Sequence, residues 1–148
     1  MTSFKRLTAA AAIALLAAGA AHAQFQERTF RMSNGVGKDH PMGHGTTKMN
    51  ACTLEKSGGK MKVQLFLNGA LGSDQATLSA LKGGTVEMAV MNSGILASQV
   101  KDFEVFDFPF MFANGKEADA VVDGPFGKMM HAKLEAKGLV GLGYWELG

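Results

Sequence analysis

Residues 61–67, MKVQLFL, place Val63, Leu65 and Leu67 on one face of an extended chain and Phe66 on the other, so both faces call for cover. The run TVEMAVM at 85–91 repeats the pattern, with Val86, Met88 and Val90 opposed by Ala89 and Met91. Strands that are apolar on both sides belong in a parallel sheet with helices over each face; a sheet wetted on one side would show polar residues at alternate positions. The segments between fit that plan. RTFRMS at 28–33 reads as a first strand, TTKMNACTLEKSGGK as a helix stopped at Gly58 and Gly59, and QATLSALKGG as a short helix with Leu78 and Leu81 inward. After Asn114 come two helices jointed at Gly124 and Pro125, with Phe126, Met129, Met130 and Leu134 as an apolar stripe, and then LVGLGYW at 139–145 as a fourth strand. The expected fold class is α/β, a doubly wound and mostly parallel sheet forming one lobe over residues 24–148.

Residues 1–23 read differently. Lys5 and Arg6 precede an Ala- and Leu-rich run that ends on Ala21-His22-Ala23, the three parts of a cleaved secretory leader. A membrane anchor would need about 20 strongly apolar residues, and the later stretch VFDFPFMF is short and broken by Asp107 and Pro109. The formal charge of +2 falls to zero once the leader is removed, thirteen basic residues against thirteen acidic. Such a chain offers no field for nucleic acid or an anionic bilayer, and the reading is an exported, periplasmic product without stable membrane insertion. Cys52 is the only cysteine, so no intrachain disulfide forms, and its helix-like setting predicts a buried thiol acting as a small hydrophobe.

Among polar residues, His40 and His44 have the i, i+4 spacing of a metal pair on a helix. Pro41, Gly43 and Gly45 argue against a regular helix there, and the reading is loop residues that cap a helix or touch a ligand. Glycine-rich loops at 34–37 and 69–72 lack the Lys-Ser/Thr of a phosphate loop and the spacing of a dinucleotide fingerprint. Their position matters more, since both follow strands at the rim where open α/β sheets bind ligands. Three strand ends in succession carry small polar groups: Asn34, then Asn68 with Asp74 nearby, then Asn92 with Ser93. Neutral amides and backbone N–H groups suit a small polar or anionic solute. The ten methionines are scattered and read as core packing, the cluster DFEVFDFPFMF reads as a buried crossover, and no nucleophile elbow or Ser-His-Asp order is present.

The ordered segments FRMSNGVGKDHPMGHG, EKSGGKMKVQLFLNGALGSD, ALKGGTVEMAVMNSG, FEVFDFPFMF, KEADAVVDGPFG and AKGLVGLGYWELG resemble the amino-terminal lobe of the DctP family, the solute receptors of TRAP-type dicarboxylate transporters. The resemblance spans residues 28–148. It implies a periplasmic receptor of two α/β lobes that closes on a small carboxylate and passes it to an integral membrane permease, with no cofactor, metal or catalysis. It further implies Asn34, His40, Asp74, Asn92 and Ser93 as first-lobe ligand contacts, with Phe108 as an apolar wall. Family members continue past a GYWE-G-like stretch to an aromatic residue, an arginine and a second lobe, whereas this sequence stops at Gly148, so the expectation is the first lobe alone. Competing readings are a small exported hydrolase using His40 or His44 and a stand-alone one-lobe binding protein.

Overall fold

A computed structural model of the chain describes residues 25–146; the leader-like segment 1–23 lies outside the described residues. Three parallel strands, β1 (Arg28–Asn34), β2 (Met61–Phe66) and β3 (Met88–Val90), form a sheet in the order β2-β1-β3. The first crossover holds α1 (Pro41–Lys56) and the second α2 (Asp74–Lys82). The chain steps from β1 to one side and then returns past it to the other; with right-handed crossovers this winding sets α1 and α2 on opposite faces. β1 is therefore central, with Met32 opposite Leu65 on one side and Met88 on the other.

Local chemistry fixes the helices to the sheet. Ser33 on β1 shares a buried hydrogen bond of 3.2 Å with Thr77 of α2. Its neighbour Met32 points to the other face by strand alternation and borders the same cavity as Met42 and Met49 of α1. Among the described residues β2 is an edge strand, and its Val63 amide donates to Asn50 Oδ1 of α1 at 2.8 Å.

α1 begins five residues before the expected start at Thr46. Pro41 occupies the first turn, where its missing N–H forfeits no bond, and the Met42 amide donates to Nδ1 of the N-cap His40 at 3.2 Å. Gly43 is tolerated because the helix passes so close to the Gly37 carbonyl that a β-carbon there would overlap it. The inner stripe of this helix runs through Met42, Thr46, Met49 and Thr53, which turns Cys52 outward: the thiol is exposed, contrary to the buried hydrophobe expected.

Downstream of β3 the chain forms two 3-10 helices, Ser93–Ser98 and Lys101–Asp107, followed by α3 (Gly115–Val122) and α4 (Pro125–Glu135). Phe103, 1% exposed, packs on Met130 and Leu134 of α4, surrounded by Leu96, Val100, Phe106 and Phe126. An ion pair between Lys133 and Asp102 ties α4 to the second 3-10 helix. The expected buried crossover ends at Asp107. Phe108 is 62% exposed and Phe110 is 99% exposed with a φ of 61°.

Two expected strands are reduced. β3 covers three residues of the seven, with Val86 buried ahead of it. Residues 139–145 are extended but form no strand: past Leu139, whose amide caps α4 by donating to Leu134 at 3.2 Å, no backbone ladder bond joins them to β3. Side chains hold this segment to α4 instead. Tyr144 stacks on His131 with ring centroids 4.5 Å apart and donates from its hydroxyl to the Gly127 carbonyl at 3.3 Å.

Candidate functional site: the strand-end rim

The carboxyl ends of the three strands meet in one set of short loops. Asn34 ends β1 fully buried; its Oδ1 accepts the Val36 amide at 3.1 Å and its carbonyl accepts the Gly69 amide at 3.2 Å. Asn68, which follows β2 with a φ of 55°, donates its amide to the Val36 carbonyl at 3.0 Å and sets its side-chain oxygen against Gly37. Asparagine is among the few side chains at ease in that left-handed conformation. The β1 and β2 ends are thus laced together by amides.

Asp74 links this pair to the third strand. It opens α2 just after the N-cap Ser73, and its Oδ2 accepts the Asn92 amide at 3.2 Å while Oδ1 faces Gly35. Asn92 in turn caps the first 3-10 helix, its Oδ1 accepting the Gly94 amide at 2.9 Å. A β-carbon at Gly94 would meet the Asp107 carboxylate, which would have to swing away to admit it. Two carboxylates therefore flank the 92–94 loop. Among the described residues neither forms a salt bridge; the ion pairs are Arg31–Glu87 and Lys133–Asp102.

Of the residues singled out in the sequence, the fold brings Asn34, Asp74, Asn92 and Ser93 to this rim. His40 stands at the amino end of α1 with Nδ1 engaged as the helix cap. Phe108 does not join them: it borders a separate shallow groove with Phe126, Met129 and Lys133. Sequence reasoning missed Asp107, whose signal was faint, since nothing in the spacing of DFEVFDFPFMF sets that carboxylate against a loop thirteen residues earlier. Among the described residues no cluster of three or more His, Cys, Asp or Glu side chains could hold a metal.

Below Asn92 and Ser93 a cavity of about 420 Å³ separates β3 from residues 139–145, lined mainly by Met32, Met42, Met88, Leu142, Tyr144 and Trp145. Its polar margin includes Glu87 and His131. Glu87 accepts from Arg31 at the backbone (2.7 Å), Nε (3.2 Å) and Nη2 (2.9 Å), and these bonds lower its pKa to about 2. Burial lowers the pKa of His131 and raises that of Tyr144, which keeps both neutral near pH 7.

Side chains at the rim thus brace one another across three strand ends, a place where open α/β sheets bind ligands. Residues 32–148 match the family described as bacterial extracellular solute-binding protein, family 7, or DctP, and the chain belongs to that family. Its sequence is 36% identical over 121 residues to the C4-dicarboxylate-binding periplasmic protein DctP of Rhodobacter capsulatus, covering 80% of this chain and 36% of the relative. A TRAP periplasmic solute-binding protein from Ochrobactrum anthropi, with a C-terminus bound in the ligand-binding pocket, superposes with a TM-score of 0.81 at 51% identity, over 83% of this chain and 38% of the other. The sugar acid binding protein DctPAm of Advenella mimigardefordensis, in complex with galactonate, gives a TM-score of 0.80 at 43% identity, over 82% and 39%. The family and these neighbours are solute-binding proteins, not enzymes. The chain spans between a third and two fifths of the length of such relatives.

Proposed function

We propose that this chain supplies one wall of a periplasmic receptor that captures a small organic acid and delivers it to the membrane permease of a TRAP-type transporter. Residues 1–23 act as a cleaved leader and residues 24–148 form the amino-terminal lobe. Asn34, Asp74, Asn92 and Ser93 make up the ligand-facing surface. His40 fixes the start of α1 beside it, and Phe108 borders a separate groove. The convergence of three parallel strand ends, tied through Asp74 and Asn92, carries this reading. Relatives of known ligand chemistry support it: besides the galactonate complex, a Sulfurospirillum deleyianum receptor with 30% identity and a TM-score of 0.76 holds succinate.

A cleft receptor encloses its ligand between two walls, so one wall alone binds weakly. Titrating the chain with a panel of organic acids while following backbone amide chemical shifts tests the reading. Shifts confined to residues 34–37, 68–69, 74 and 92–94, at roughly millimolar affinity, are expected. A panel that moves no amide in these segments rejects the reading, and nanomolar binding rejects its one-wall form.

A further inference from the structure

Resting on that reading, we infer that the cavity between β3 and residues 139–145 is a slot for one more β-strand, an extended apolar segment supplied by the polypeptide of the receptor's second wall. Along one side of the cavity runs the edge of β3, which pairs with β1 and, among the described residues, with no other strand. Along the other side run residues 140–145, extended and without a backbone hydrogen bond among the described residues. This segment already lies where a sheet strand would. Tyr144 stacks on His131 of α4, and a β-carbon on Gly45 of α1 would lie 3.1 Å from the Trp145 ring. Neighbouring residues of an extended chain point to opposite faces, so the segment is held between α4 and α1. The same elements enclose the cavity, to which α1 contributes Met42 and Met49, and the second 3-10 helix and α4 contribute Phe103 and Leu134.

These boundaries define the occupant. Both long sides offer backbone N–H and C=O groups, while the walls are thioether, aliphatic and aromatic. A small apolar solute would cover the walls and leave the backbone of both sides without partners. An extended peptide meets all four surfaces at once, because a strand hydrogen-bonds along both edges and projects side chains to both faces. The titratable groups at the margin are engaged: Arg31 holds Glu87, and Tyr144 covers His131. No free charge therefore faces the slot, and the entering strand is apolar on both faces, as a strand buried under helices must be. Its source follows from what is left. The three strands among the described residues already have places in the sheet, and the matched relatives carry more than half of their length outside the matched region. Strand addition to an open sheet edge is an established mode of peptide recognition.

The test uses the full chain and a lysine-flanked peptide of about seven alternating valine and alanine residues, the length of an ordinary strand. Hydrogen exchange should slow by at least about tenfold at amides on both sides of the slot, within 88–91 and 140–145, when the peptide is added. The same peptide N-methylated at alternate residues keeps its side chains but loses pairing along one edge, and it should give no such protection; nor should benzene, which fills apolar cavities without backbone groups. Equal protection by the N-methylated peptide or by benzene would make the cavity a hydrophobic pocket and overturn the strand assignment. Protection on one side only would reduce the slot to an open edge and overturn it as well. Protection that grows with protein concentration in the absence of peptide would give the slot to a second copy of the chain. The organic-acid panel reads the rim and not these sides, so a responsive panel with a silent peptide rejects the strand alone. A silent panel with both sides protected rejects the second wall as its source, and silence in both rejects both readings.

Discussion

Arg31 and Glu87 form a three-point contact at the edge of the cavity, and its pH response is fixed by sign. The folded carboxyl titrates at about 2, below its unfolded value, so its stabilisation is complete above the unfolded pKa and disappears as pH falls toward the folded one. Thermal melts of the wild type and Glu87→Gln should differ at pH 7 and converge at pH 2; a constant gap across that window would contradict the linkage. Asn34 is a different kind of residue, fully buried and holding the Val36 amide. Asn34→Ala strands that N–H and should cost roughly 1–3 kcal/mol in urea unfolding. Both residues were visible in the sequence, but only Asn34 drew notice, because an amide after an apolar strand is a rim signal. Glu87 drew none, since its partner lies 56 positions away and sequence spacing carries no record of such a pair.

At the scale of elements, what local chemistry dictates was legible. The strands β1 and β2, the joint at Gly124 and Pro125, and the stops at Gly58–Gly59 and Gly83–Gly84 all follow from periodicity and backbone freedom. Misreadings came where a distant contact decides. α1 starts at Pro41 because His40 caps it and Gly37 admits Gly43, neither of which appears in an apolar pattern. Residues 139–145 have strand composition but no ladder partner among the described residues, since α4 claims them through Tyr144. The run DFEVFDFPFMF reads as one buried crossover, yet only its first half, up to Asp107, belongs to the core. Phe103 anchors that half, and Phe103→Ala should destabilise by about 3–5 kcal/mol, measured as a lower urea midpoint at unchanged slope. A shift under about 1 kcal/mol would place the core elsewhere.

Among the described residues, most of the exposed large apolar side chains lie in two places, Phe108, Phe110 and Met111 beyond the second 3-10 helix and Val140 with Leu142 beside the cavity, while Phe25 and Leu54 stand apart. Patches of this kind drive association in water. Sedimentation velocity of the chain should show mass rising with concentration, and the double substitution Val140→Lys, Leu142→Lys should flatten that dependence; an unaltered profile would exclude the cavity side as the contact. The edge of β3 has a further consequence. Residues 85–91, TVEMAVM, are β-prone, free of proline and carry one charge, Glu87. Next to an edge unpaired among the described residues, that carboxylate acts as a gatekeeper against fibril growth. Replacing it with a neutral residue leaves a template on which strands from other molecules can stack, so Glu87→Gln samples should seed thioflavin-positive fibrils sooner than the wild type under the same agitation.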